Sequence, residues 1–400
     1  MSLQQTPSGE RIHIGFFGKR NAGKSSLVNA ITGQSLSVVS NVPGTTTDPV
    51  KKAMELLPLG PVVITDTPGF DDKGELGMLR VEKTRQILAS TDIAILVTDG
   101  SMAMDEQELS FIDILEDKKL PYIIVHTKAD LVSHIPEATQ RDIWVSAETG
   151  TNIYQLKEKI ASVAKVSANE SRIVSDMLSQ GDIVILVTPI DSSAPRGRLI
   201  LPQQQTIRDI LDNRSIAIIC QDTELKDTIG ALNAPPKMVI TDSQAFGKVA
   251  KLVPKDIPLT SFSILFARYK GDLPALVQGA SMLGKLQDGD RILISEGCTH
   301  HRQCGDIGTV KLPSWIRDFC GSDIQFDFTS GGNFPKDLSP YKLIVHCGGC
   351  MLNEAEMNHR INTATLTGIP IVNYGVAIAH MNGILRRSLR IFPDVLKLLD

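Results

Sequence analysis

Nine consecutive residues near the start of the chain have types and spacing suited to phosphate chemistry: Gly18-Lys19-Arg20-Asn21-Ala22-Gly23-Lys24-Ser25-Ser26. The pattern G-x-x-x-x-G-K-S follows an apolar run and opens a helical pattern, the context a phosphate loop requires. Glycines at 18 and 23 let the backbone curl so that its N–H groups face phosphate oxygens. Lys24 would reach the β and γ phosphates, and Ser25 would present its hydroxyl to Mg²⁺. The helix N-terminus that follows adds a favourable dipole for an anion.

Further motifs follow in order, at the ends of predicted strands. Gly44-Thr45-Thr46-Thr47-Asp48 sits where a switch loop carries a Mg²⁺-binding threonine. Asp66-Thr67-Pro68-Gly69 places Asp66 near the metal and the Gly69 N–H near the γ-phosphate. Thr127-Lys128-Ala129-Asp130 would read guanine, because the Asp130 carboxylate accepts two hydrogen bonds that adenine cannot donate. Ser146-Ala147 completes the base pocket. The set implies GTP binding and hydrolysis, with Lys24, Thr46 and Gly69 acting on the transferred phosphate. Asn is commoner than Thr at position 127, so one pocket contact is expected to be weaker. Phe70 stands where many GTPases carry the glutamine that orients water.

A second constellation lies at the other end. Five of the six cysteines fall from position 298 onward: Cys298, Cys304, Cys320, Cys347 and Cys350, with Cys220 apart. Cys298-Thr299-His300 follows one predicted strand and His346-Cys347-Gly348-Gly349-Cys350 another. Carboxyl ends of strands in an open parallel sheet share one edge, where ligands bind. C-x-x-C spacing lets two thiolates reach one soft metal or cluster. Three readings stand: a Cys₃His zinc site, an iron–sulfur cluster on three thiolates, or unliganded thiols. Cys220 and Cys320 read as core hydrophobes, and Cys304 stays open as a ligand.

These residues need elements to hold them. Ile12–Gly18, Val62–Thr67, Ile93–Asp99, Tyr122–Lys128 and Ile143–Ala147 read as buried strands alternating with helices, hence a parallel sheet covered on both faces. Asp182–Thr188, Ser215–Cys220 and Met238–Thr241 form a small three-strand α/β unit. From Leu259 a helical stretch runs to about Leu286. Strands at Arg291–Glu296, Ile324–Phe328, Leu343–His346 and Pro370–Asn373 then build a third α/β unit. The expectation is an α/β protein of three domains, 1–165, 172–258 and 259–400. Hydrophobic residues are 42%, charged residues 22% and net charge is −4. That is ordinary for a water-soluble chain and weighs against a nucleic-acid partner. With no long apolar run and no signal pattern, a cytoplasmic protein without a membrane partner is expected.

Asn21, Gly-Thr-Thr-x-Asp and an apolar residue after D-T-P-G resemble the TrmE–Era class of GTPases over about 150 residues. That resemblance implies slow, K⁺-stimulated hydrolysis, with Asn21, Thr45 and carbonyls near Ser40 and Val42 on K⁺ and Thr46 on Mg²⁺. The cofactor-binding set is then Gly18, Asn21, Ala22, Gly23, Lys24, Ser25, Ser26, Thr45, Thr46, Asp66, Gly69, Thr127, Lys128, Asp130, Ser146 and Ala147.

Over the whole chain, C-x-H, then 45 residues, then H-C-x-x-C behind such a domain resembles the HydF family of [FeFe]-hydrogenase maturation GTPases. Phe266–Asp272, Asp306-Ile307-Gly308 and Asn373-Tyr374-Gly375 also fit. The resemblance implies a GTPase domain, a dimerisation domain and a cluster domain. It implies a [4Fe–4S] cluster on Cys298, Cys347 and Cys350 with a labile fourth position. His346 is the first choice there and His300 the second, with Asp306, Cys304 or an exchangeable ligand open. It further implies a homodimer that carries a diiron subcluster between the radical-SAM maturases HydE and HydG and apo-[FeFe]-hydrogenase. The alternative is a TrmE/Era-like GTPase with a structural zinc domain, acting on tRNA or the ribosome.

Overall fold

The computed structural model describes residues 6–34, 50–69, 84, 86–167, 172–189, 199–297 and 307–399, with side chains at 165–167 excepted. The chain divides into two compact units, 1–169 and 170–400.

The first unit is built on a six-stranded sheet of order β2-β3-β1-β4-β5-β6. Its strands are β1 Ile12–Phe17, β2 Val50–Leu56, β3 Gly60–Asp66, β4 Ile93–Asp99, β5 Tyr122–Thr127 and β6 Asp142–Trp144. All neighbours are parallel except β2, which pairs antiparallel with β3. The central strands are buried on both faces, so their sequences are continuous apolar runs rather than alternations. One face packs against helices Lys24–Thr32 and Ile153–Ser167, the other against Phe111 and Leu115 of Glu106–Asp117. Asp105 starts that last helix with a capping box, its side chain accepting from the Gln107 and Glu108 N–H groups. The sequence pattern did not disclose β2. It is an exposed edge carrying Lys51 and Lys52, so it lacks the apolar run that marks its neighbours.

The second unit holds two four-stranded parallel sheets. The first has order β10-β9-β7-β8, from β7 Ile183–Val187, β8 Ile216–Cys220, β9 Met238–Thr241 and β10 Leu259–Ser261. The second has order β12-β11-β13-β14, from β11 Arg291–Glu296, β12 Gln325–Ser330, β13 Leu343–His346 and β14 Ile371–Asn373. One continuous apolar core runs through both, from Ile173 to Phe392.

The expected three-strand middle sheet therefore gains a fourth strand, and residue 259 begins that strand rather than a helix. Three residues between Pro258 and the helix that begins at Phe262 are too few to show a period. Ser261 ends the strand and caps Phe262–Lys270, its Oγ accepting from the Ile264 N–H at 3.2 Å. The expected helical stretch to 286 breaks at Gly271, and Asp272 caps Leu273–Ala280 by accepting from the Ala275 N–H at 3.0 Å. A boundary at 258/259 would thus cut one sheet between β9 and β10.

Two motifs act as joints between these sheets. Asn373 caps Tyr374–Met381 and donates from Nδ2 to the Ser263 carbonyl at 3.1 Å. A Cβ on Gly375 would lie 2.1 Å from that of Ser263, so only glycine admits the contact.

Candidate functional site

The phosphate loop joins β1 to the helix Lys24–Thr32. Gly18 has φ +147°, Asn21 φ 59° and Gly23 φ 87°, so the loop turns through positive φ three times. The Asn21 geometry is one an asparagine tolerates better than most residues. A Cβ on Gly18 would sit 2.1 Å from the Val97 carbonyl oxygen of β4. Lys24 is buried, and its Nζ donates to the Gly18 carbonyl at 2.9 Å and to that of Lys19. The ammonium therefore lies inside the loop.

Ser25 Oγ donates to Asp66 Oδ2 at 2.8 Å. Asp66 Oδ1 is buried and has no hydrogen-bond partner among the described residues. A buried carboxylate oxygen left open beside a serine hydroxyl fits a Mg²⁺ ion with its bound water. Gly69, three residues beyond β3, is buried at the same strand end.

At the base end, Lys128 adopts φ 57° and ion-pairs with Asp99. Ser146 Oγ donates to Asp130 Oδ1 and holds that carboxylate in place. Ala147 follows at the half-buried rim. Thr127 sits buried beneath the loop with its hydroxyl near the Ala22 carbonyl. His126, to which the sequence assigned no role, stacks on Trp144 with centroids 4.0 Å apart. Its Nδ1 lies 2.8 Å from Thr98 Oγ1, and burial pushes its pKa down. Only its place inside the continuously buried run of β5 could have flagged it as a packing residue. Ser40, Val42, Thr45, Thr46 and Phe70 lie outside the described residues.

In the second unit the strand ends meet as parallel topology requires. Ser295 of β11 is level with His346 of β13. The Cys347 N–H donates to the Ser295 carbonyl at 2.9 Å. Cys347 Sγ in turn accepts from the Gly297 N–H at 3.0 Å and from the Gly349 N–H at 3.4 Å. Two backbone N–H groups thus point at the one sulfur. Cys350 is half-buried. Burial pushes its thiol up, while the Lys270 ammonium and the N–H groups of 350 and 351 pull it back. Lys270 is itself buried, with Nζ donating to the Leu352 carbonyl at 3.2 Å.

Cys347 and Cys350 are the two described thiols of the expected set, and no three metal-binding side chains come together among the described residues. The expected ligands Cys298 and His300, and the open candidates Cys304 and Asp306, lie outside the described residues. Cys220 and Cys320 are half-buried free thiols packed against the core, as hydrophobes would be.

His346 is placed differently from its expected role. Its side chain is fully buried, with Nδ1 2.7 Å from the Cys347 carbonyl oxygen and Nε2 3.0 Å from Arg360 Nη1. A carbonyl only accepts and a guanidinium only donates, so the ring is neutral with its proton on Nδ1. Burial, with Arg360 beside it, drives its pKa down to about 3, against the opposing pull of the Cys347 carbonyl. Both nitrogens are engaged inside the protein, so the expectation that His346 supplies the fourth ligand is corrected. Sequence adjacency to Cys347 suggested ligation. The ring instead lies in the core, as do all four residues of β13.

The loop, the Asp66 strand end and the Asp130–Ser146 pair on a mostly parallel sheet define the first unit as a P-loop GTPase domain of the TrmE–Era type. The profile described as 50S ribosome-binding GTPase matches residues 13–128. The hydrogen maturase F dimerization domain matches 173–271 and its tetramerization domain 274–391. The chain belongs to the hydrogen maturase F (HydF) family. The two latter matches part at Gly271, where the helical stretch breaks, and their descriptions support oligomer formation.

The tRNA modification GTPase MnmE of Endomicrobium trichonymphae is 32% identical over 190 residues, covering 45% of this chain and 41% of that protein. GTPase Der of Wolinella succinogenes is 33% identical over 177 residues, 40% of this chain and 37% of its own length. This chain thus spans about two-fifths of the length of these relatives. The solved G domain of the T. maritima FeoB iron transporter is 26% identical, with a TM-score of 0.30, over 39% of this chain and 99% of its own. No described helix is long and apolar enough to cross a membrane.

Proposed function

We propose that this chain binds and hydrolyses GTP with Mg²⁺ and acts as a homo-oligomeric scaffold in [FeFe]-hydrogenase maturation. It would take a diiron precursor as cargo from the radical-SAM maturases HydE and HydG and pass it to apo-hydrogenase. The observation that carries this reading is the conjunction, in one chain, of a phosphate loop with two hydrogen maturase F domains.

Lys24 holds the β and γ phosphates, Ser25 and Thr46 hold Mg²⁺ with Asp66 behind it, and the Gly69 N–H faces the γ-phosphate. Asp130, braced by Ser146, selects guanine. Asn21 and Thr45 hold K⁺, which stands where an arginine finger acts in other GTPases, and hydrolysis is slow. Cys298, Cys347 and Cys350 hold a [4Fe–4S] cluster, and the fourth position is taken by His300, Asp306, Cys304 or an exchangeable ligand. A cluster with an incompletely ligated iron supplies a point where a metal fragment attaches through a bridging group. The joint between dimerisation and cluster domains falls at Gly271, and the protein works in the cytoplasm.

The test is activation of apo-hydrogenase by purified protein loaded anaerobically with cluster and precursor. Wild type should activate and Cys298→Ala should not; equal activation would sink the proposal. Colourless protein that keeps one zinc per chain after iron–sulfide reconstitution would favour the TrmE/Era-like reading instead.

A further inference from the structure

Arg360, on the helix Glu354–Leu366, is the largest fully buried side chain in the described structure. Its Nε donates to Glu356 Oε1 at 2.8 Å and its Nη2 to the Gly331 carbonyl at 2.7 Å. Its Nη1 donates to His346 Nε2 at 3.0 Å and lies 3.5 Å from Ser295 Oγ. The guanidinium also covers the Phe334 ring at 5.3 Å.

The placement of those partners is informative. Ser295 is the penultimate residue of β11, His346 ends β13, and Gly331 directly follows β12. One side chain therefore holds the carboxyl ends of three neighbouring strands, the edge from which Cys347 extends. An apolar side chain of similar volume would fill the same space at no desolvation cost. Only the arginine fixes directions, because its donors form a rigid planar fork.

The direction is passed on. Arg360 fixes the imidazole of His346, whose Nδ1–H then holds the Cys347 carbonyl. With its carbonyl held, Cys347 presents Sγ to the Gly297 and Gly349 N–H groups. Outer groups that orient a metal ligand in this way commonly carry 10- to 100-fold in affinity, about the span seen when they are removed.

We propose that Arg360 is the positioning residue of the cluster site, acting through His346 as a hydrogen-bond relay to Cys347. This inference rests on the reading that Cys298, Cys347 and Cys350 hold the cluster. N–H donors on a ligating sulfur raise the reduction potential of an iron–sulfur cluster. Breaking the relay loosens that arrangement and lowers the potential.

The experiment uses full-length protein reconstituted anaerobically with iron and sulfide, as wild type, Arg360→Met, Arg360→Lys, His346→Ala and His346→Gln. Cluster loss to a chelator is followed by absorbance, and the midpoint potential by redox titration with electron paramagnetic resonance. GTP hydrolysis and thermal unfolding report folding of the two units. Arg360→Met and His346→Ala should lose the cluster roughly 10- to 100-fold faster and titrate at a more negative potential. His346→Gln, whose amide can accept from Arg360 and donate to Cys347, should stay within about twofold of wild type.

Folded Arg360→Met with wild-type loss rate and potential would overturn the proposal. If it does not fold, Arg360→Lys and His346→Ala decide by the same criterion. A His346→Gln protein that binds cluster as poorly as Cys347→Ser would make His346 a ligand, which also overturns it. Wild type that takes up no iron or sulfide would instead defeat the underlying reading.

Discussion

The hydroxyl of Thr127 lies 2.7 Å from the Ala22 carbonyl oxygen and 2.9 Å from that of Thr98, and shares its one proton between them. Ala22 belongs to the phosphate loop and Thr127 ends β5, so this contact ties the end of that strand to the phosphate loop. The sequence suggested a weakened pocket contact at position 127. The bridge between the two carbonyls is made by a buried side chain.

Thr127→Val keeps the shape and removes the donor, leaving two buried carbonyls without it. Nucleotide binding should weaken by about 1–2 kcal/mol, roughly 5- to 30-fold. Displacement of a fluorescent GDP measures this, and Thr127→Ser should restore most of the loss. Unchanged affinity in the valine variant would mean the bridge is energetically idle.

Asp130, proposed to read guanine, accepts a hydrogen bond from Ser146. Asp130→Asn should lower GTP affinity by about 10²-fold or more, since paired donors on the base edge lose their acceptor. The same protein should gain affinity for xanthosine triphosphate, whose edge presents an acceptor in place of the amino group. Competition binding with both nucleotides reads the switch, and parallel losses for both would count against the assigned role.

Gly18 has φ +147° and lies so close to β4 that a Cβ would meet the Val97 carbonyl at 2.1 Å. Val97 sits in a central strand bonded on both sides and cannot retreat. Gly18→Ala should destabilise the first unit by more than about 3 kcal/mol, through strain and overpacking together. Calorimetry should show the GTPase transition moved to lower temperature with the second unit's transition in place. A wild-type transition would refute the close approach.

His346 has its pKa at about 3 in the folded protein. An unfolded histidine titrates near 6.5. Between those values the unfolded chain binds the additional proton, so stability is full above about pH 6.5 and falls as pH drops toward 3, by at most about 1.4 kcal/mol per unit. His126 and His380 are also lowered by burial and act in the same direction in any variant. Urea unfolding of cluster-free protein at pH 7 and pH 5 should therefore show a smaller acid loss in His346→Gln than in wild type. Equal losses would place the imidazole in contact with water.

The sequence by itself disclosed the phosphate-loop GTPase domain and most of the architecture. Gly18–Ser25, Asp66, Asp130 and Ser146 are contiguous motifs at strand ends, and doubly buried strands such as β4 and β5 announce themselves as apolar runs. It did not disclose β2, whose outward lysines give no such run, nor β10, which is too short to show a period.

Only the tertiary structure decided what His346 does. Adjacency to Cys347 is a one-dimensional fact. The direction of a side chain at a strand end depends on the pleat and on what lies behind it. What lies behind it is Arg360, fourteen positions on and invisible to any local pattern. The fold brings that guanidinium to the ends of β11, β12 and β13 because parallel strands end together, and a fully buried charge must meet its partners there.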